Sequence, residues 1–149
     1  MSGGTALAVG LAAVAGLAGS VQVAVMARFG ERIGTVEALA FASLLTAVLA
    51  AGLLLLARQS LAGYGDGFRS PVWLWSAAVM SLVVVFTITF VTPKIGATAT
   101  IGILIAGQLA MGAAIDRFGL FGLEPIAIGW PRLVGIALLA VGAALSLRK

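Results

Sequence analysis

Two carboxamides, Gln22 and Gln108, stand inside long apolar runs, where each can donate and accept hydrogen bonds to a neutral or zwitterionic ligand. The plainer reading is that they bond across a helix interface. One carboxylate, Asp116, closes such a run near the carboxyl end of its expected helix, against the helix dipole, an arrangement disfavoured by ~0.3–1 kcal/mol. It needs a partner, such as Arg28 or Arg132, or a proton. Asp116 is thus either a proton- or cation-coupling site or half of a structural ion pair. Glu31, Glu37 and Glu124 lie in or beside charged connections. The chain has no Cys and no His, which removes disulfides, thiol chemistry, imidazole relays and nearly every transition-metal site. No nucleophile, base and oxyanion donors occur together, and no cofactor motif appears. The expectation is a protein without metal, cofactor or catalytic residues, working by recognition.

The elements that must hold these groups follow from composition. Of 149 residues 62% are hydrophobic and 9% charged, whereas a soluble domain carries about a quarter charged residues. Mean hydropathy is +1.19. The chain therefore reads as an all-α integral membrane protein, with the lipid bilayer as its first partner. Between Lys94 and Asp116 lie 21 residues without formal charge, enough for a helix to cross ~30 Å of hydrocarbon. Uncharged runs of this kind predict five transmembrane helices, at about 5–27, 36–57, 72–92, 95–116 and 130–147, in a single transmembrane domain over 1–149. The first 27 residues resemble a signal peptide in hydropathy but lack a preceding basic residue, and are read as an uncleaved span.

Two of these spans carry faces nearly without side chains. In the fourth, Thr98, Gly102, Ala106, Ala110 and Ala114 recur every fourth residue; in the first, Ala8, Ala12, Gly16, Ser20 and Ala24 do the same. In lipid, helices associate by close backbone approach over such residues rather than by the hydrophobic effect. Gly135 and Gly142, seven apart in the fifth helix, share a face as well. The segment ARFGERIGTVE reads as a turn, and RQSLAGYGDGFRSP, with Gly63, Gly65, Gly67 and Pro71, as an interfacial loop. Trp73, Trp75 and Trp130 belong at the headgroup level. The third span is strongly β-branched, and Thr87 and Thr89 can bond back to their own helix carbonyls. Pro93-Lys94 reads as the turn into the fourth span. With 15 residues between Arg132 and Arg148, about 22 Å of rise, the fifth must extend through Trp130 and Pro131 and let Arg132, Arg148 and Lys149 snorkel.

Five spans put the termini on opposite sides. Arg58, Arg69, Arg117 and Arg132 then share the amino-terminal side, while Arg28, Arg32, Lys94, Arg148 and Lys149 lie opposite. Basic residues this scattered fit membrane anchoring, not nucleic acid. Because the excess of Lys and Arg in cytoplasmic loops sets orientation, a near-even count gives the chain no preferred way in. Dual topology follows as an expectation: both orientations are made and pair as an antiparallel homodimer of ten helices. A chance balance in a small protein is the alternative.

Gly107-Gln108, Asp116-Arg117-Phe118-Gly119 and Arg132-Leu133-Val134-Gly135 resemble the YdcZ-like inner-membrane exporters, a five-helix, half-size branch of the drug/metabolite transporter superfamily. The segments from Gln22 to Gly30 and from Pro93 to Ala97 are similar to that family too. Met26 stands where the family usually has Asn, and Ala77-Ala78 where it favours paired glycines. The resemblance implies transporters of ten helices, built as fused inverted repeats, paired chains or single-gene dimers, in the cytoplasmic (inner) membrane, acting on a small-molecule solute.

Such transporters bind cargo near the midplane, where repeats meet, so the candidate ligand contacts are Gln22, Gln108, Met26, Phe41, Trp75 and Thr87. The aromatics have plainer roles: Phe41, Phe86 and Phe90 in packing, Trp75 as an anchor. The candidate helix-packing residues are Gly16, Ser20, Gly102, Ala106, Ala110, Gly135 and Gly142. No acid lies deep in a helix, which disfavours a proton-coupled exporter of the small multidrug resistance type. Three functions compete: a carrier working by alternating access, a non-transport assembly subunit, and a dual-topology ion channel.

Overall fold

A computed structural model describes residues 3–147; the expected anchors Arg148 and Lys149 lie outside the described residues. Among the described residues there is no strand, and six α-helices follow one another: α1 (Gly3–Ile33), α2 (Thr35–Arg58), α3 (Ala62–Arg69), α4 (Ser76–Ile95), α5 (Ala97–Phe118) and α6 (Trp130–Leu145). One turn of 3-10 helix, Val72–Trp75, leads into α4. Four segments are long and apolar enough to cross a membrane: Gly3–Ile33, Thr35–Arg58, Val72–Ile95 and Ala97–Phe118. The expected fifth span, α6, is apolar but has 16 residues, about 24 Å of rise.

The chain forms two compact units. One comprises the chain up to Ala24 together with the chain from Val91 onward; the other is Val25–Phe90.

Three sequence expectations are corrected. The segment ARFGERI is not a turn, because α1 continues through it to Ile33. Arg28 and Glu31, three apart, are joined by a 2.7 Å ion pair that supports the extra turns. The break falls on Gly34 alone, at φ 104°, ψ 147°, a conformation open essentially to glycine.

The turn expected at Pro93-Lys94 lies instead at Gly96, with φ 86°, ψ 160°. Pro93 stays inside the last turn of α4, where its missing N–H costs one bond and the helix has nearly ended. Both joints have one design. Each glycine N–H donates to the carbonyl four residues back, Gly34 to Gly30 at 2.9 Å and Gly96 to Thr92 at 2.8 Å. Each glycine carbonyl accepts from four residues on, from Ala38 at 3.0 Å and Thr100 at 3.1 Å. One residue therefore redirects the chain without leaving these four backbone groups unpaired.

The third correction concerns the loop after α2, which contains the helix α3 despite Gly63, Gly65 and Gly67. Each glycine disfavours helix by ~1 kcal/mol, and local packing offsets this. Phe68 meets Trp75 edge-to-face with centroids 5.9 Å apart, and the Trp75 indole Nε1–H donates to the Gly67 carbonyl at 3.3 Å. Ser60 Oγ accepts from the Ala62 N–H at 3.1 Å to start the helix, and Ser70 Oγ donates to the Asp66 carbonyl at 3.0 Å near its end.

Candidate functional site

Gln22 and Gln108 both lie in membrane-length helices, and both are exposed on the single chain with no side-chain hydrogen bond among the described residues. On the amino-terminal side of Gln22 the helix is bare. Every residue of α1 from Gly3 to Ala18 is exposed, and a Cβ added at Gly10, Gly16 or Gly19 would meet nothing within 4 Å. Ser20, half-buried, donates its hydroxyl to the Gly16 carbonyl at 3.0 Å. This face has its small residues in place and, among the described residues, no helix against it.

The carboxyl-terminal third of α1 differs. Val23, Met26, Ala27 and Gly30 form a buried stripe at the spacing of one helix face. Met26, a candidate ligand contact, is 5% exposed. At Gly30 the α1 backbone approaches α4 so closely that a Cβ would overlap the Thr89 Cγ2 methyl. Thr89 is 1% exposed, and its hydroxyl donates to the Val85 carbonyl at 2.8 Å, which fixes the side chain. Thr87, a further candidate, is exposed and spends its hydroxyl on the Val83 carbonyl at 2.7 Å. Phe41 is exposed and packs edge-to-face on Phe29 with centroids 5.6 Å apart. Trp75 lines a groove of about 480 Å³ with residues of α3.

In the other unit α5 and α6 pack together. A Cβ on Gly102 would lie 3.2 Å from both Cα and Cβ of Ala143, so the two backbones meet here with little to spare. Ala106 is half-buried and Ala110 exposed. Gly135 is half-buried and Gly142 exposed, and a Cβ on either would meet nothing within 4 Å; the Gly142 carbonyl accepts from Ser146 Oγ at 3.0 Å. Asp116, in the last turns of α5, pairs with Arg132 in the first turn of α6, Nη2 to Oδ2 at 2.5 Å. The linker folds back on the same place. Gly119 caps α5 in the left-handed conformation, φ 58°, with its N–H on the Ile115 carbonyl, and the Ile126 N–H donates to the Asp116 carbonyl at 2.7 Å.

One polar residue escaped the sequence reading. Thr92 is 6% exposed, and among the described residues its hydroxyl has no hydrogen-bond partner. Its neighbour Pro93 is the signal that could have pointed to it, because a proline near a helix end marks irregular bonding. The packing role of Gly30 was equally missed, although Gly30 closes the segment from Gln22 that is similar to the exporter family.

Helices this long and apolar define an integral membrane protein. The family model described as "Putative inner membrane exporter, YdcZ" matches residues 7–145, nearly the whole chain, and the protein belongs to that family. It is an inner-membrane protein of an exporter family. Searches of curated proteins and of solved structures found no match to this chain.

Proposed function

We infer that this protein is a secondary transporter that exports a small solute by alternating access, and that two copies in opposite orientation make the working unit. The observation that carries this reading is the exposure of Gln22 and Gln108. A carboxamide in hydrocarbon without a hydrogen-bond partner is costly, by roughly 1–3 kcal/mol on protein scales, so each needs protein or a water-filled cavity beside it. A second copy against the bare face of α1 supplies the protein, and a solute path between copies supplies the cavity. The near-even basic charge on the two sides supports the opposite orientation. In such an assembly Gln22 and Gln108 contact the solute near the midplane, while the Asp116–Arg132 pair fixes α6 to α5.

Reconstitution of the purified protein in liposomes tests this. Saturable, gradient-dependent flux supports a carrier. A large unsaturable current would identify a channel, and silence across a broad solute panel an assembly subunit.

A further inference from the structure

The connection between α5 and α6 is made of the wrong residues for a loop in water. From Phe118 to Pro131 it reads FGLFGLEPIAIGWP, with Glu124 its sole charge, whereas the connection after α2 carries Gln59, Ser60, Asp66, Arg69 and Ser70. Its large apolar side chains are turned outward. Phe118 is 72% exposed, Phe121 65% and Trp130 76%, and Leu123 and Ile126 are exposed as well. Contiguous exposed apolar surface of this kind marks an interaction site.

The segment is folded, not slack. Gly119 turns it in the left-handed conformation, and a Cβ there would lie 2.8 Å from the Leu123 carbonyl oxygen and 2.9 Å from Pro125 Cγ, so the chain doubles back on the end of α5. Phe121 holds φ 61°, ψ 21°, a conformation that aromatic residues rarely take, and its ring is among the exposed ones.

Two bonds to one residue fix the depth. The Ile126 N–H donates to the Asp116 carbonyl at 2.7 Å, and Arg132 pairs with the Asp116 carboxylate. Asp116 lies two residues before the end of the membrane-length helix α5, about 3 Å of rise. The segment thus sits beside the last turn of a span, at the boundary between hydrocarbon and headgroups, and does not stand above it in water. Deeper burial is barred. Among the described residues the N–H groups of Ala127, Ile128 and Gly129 have no backbone partner, and hydrocarbon offers none, while the headgroup region holds water. Crossing the membrane with α6 requires the same arrangement, since its 16 residues rise about 24 Å against ~30 Å of hydrocarbon. Apolar chain leading into Trp130 fills the shortfall.

Lipid is the partner that fits. Aromatic rings favour the headgroup boundary, and the outward side chains continue the exposed apolar surfaces of α5, which ends at Phe118, and of α6, which begins at Trp130. We propose that residues 118–130 are seated in the bilayer as an interfacial anchor, with Phe121, Leu123 and Ile126 against acyl chains and Glu124 among the headgroups. This seat depends neither on what the chain transports nor on a second copy.

Spin labelling of the full-length protein in lipid vesicles tests the proposal, and the chain has no native cysteine to remove. Nitroxides are attached singly to the variants Leu123→Cys and Ile126→Cys, with Ser60→Cys in the polar connection as the reference. Collision with oxygen, which concentrates in the bilayer, is compared with collision with a water-soluble nickel chelate. The oxygen-to-nickel ratio at 123 and 126 should be several-fold above that at 60. Labels as open to nickel as the reference would mean a loop in water, and labels shielded from both reagents would mean that protein covers the segment; either result overturns the anchor. If the labelled variants do not fold, hydroxyl-radical footprinting of the wild type in lipid nanodiscs reads the same question. Side chains from 118 to 130 must be oxidised several-fold less than those from 59 to 71, and equal oxidation refutes the anchor.

Discussion

Asp116 and Arg132 each stand at the wrong end of a helix and correct one another. Asp116 places negative charge at the carboxyl end of α5, and Arg132 places positive charge at the amino end of α6. Either position is disfavoured by ~0.3–1 kcal/mol alone. Joined at 2.5 Å and partly shielded from solvent, the two charges offset both penalties and hold the start of the short α6 against the end of α5.

We propose that the pair acts on structure rather than on coupling. Asp116→Asn and Arg132→Gln should each lower thermal stability, and the double variant should cost less than their sum, with a coupling energy of ~0.2–1 kcal/mol. Flux in liposomes should survive in the double variant. Loss of flux in Asp116→Asn with folding and dimer intact would make the carboxylate a coupling site instead.

Gly30→Ala should be among the more damaging conservative changes in the chain. The new methyl overlaps Thr89 Cγ2, and Thr89 cannot turn away without releasing the Val85 carbonyl. Overpacking of this kind costs about 1–3 kcal/mol. Thr89→Ser removes the obstructing methyl and keeps the hydroxyl, so Gly30→Ala/Thr89→Ser should recover most of the lost stability in a thermal melt. No recovery would mean that the contact is not the cause.

Gly34 and Gly96 should both resist a side chain, because both joints use the same backbone conformation and the same pattern of bonds, and at Gly34 a Cβ would in addition displace the Glu37 carboxylate. Substitution by Ala at either should cost ~1–3 kcal/mol, read as reduced yield of folded protein and a lower melting temperature. A neutral Gly96→Ala would contradict the shared design, since a Cβ there meets no atom within 4 Å and only the dihedral angles resist it.

At Gly102 the limit is space between α5 and α6. Gly102→Ala should be mildly destabilising and improved by Ala143→Gly, whereas Gly102→Leu should separate the helices and abolish folding, as followed by size-exclusion profile.

Much of this architecture was legible because lipid imposes simple rules. The α2 span, expected at 36–57, is Thr35–Arg58, since charge bounds the apolar run on both sides. The other limits shifted where polar residues continue a helix beyond hydrocarbon. Arg28 and Glu31 look like loop residues by hydropathy yet pair along α1, and Lys94 follows a proline that the last turn of α4 tolerates. The α3 helix was illegible because its stability comes from Trp75, eight residues beyond Gly67, and no local propensity reports that contact. For the candidate site, spacing located small faces but not their partners. Gly102 meets Ala143, whereas Gly16, in a similar pattern, meets nothing. The burial of Met26 and Thr92 depends on which face of a helix is covered, and hydropathy alone does not state that.

The central claim is that oppositely oriented copies complete one another over the bare face of α1. Because the chain has no native cysteine, Ser60→Cys gives a single label site in the connection after α2, and membrane-impermeant thiol labelling can be compared on intact and opened cells. The account predicts that about half of the molecules react from outside and the remainder only after opening, with the two populations recovered in one cross-linked dimer. Labelling confined to one side of the membrane would contradict it.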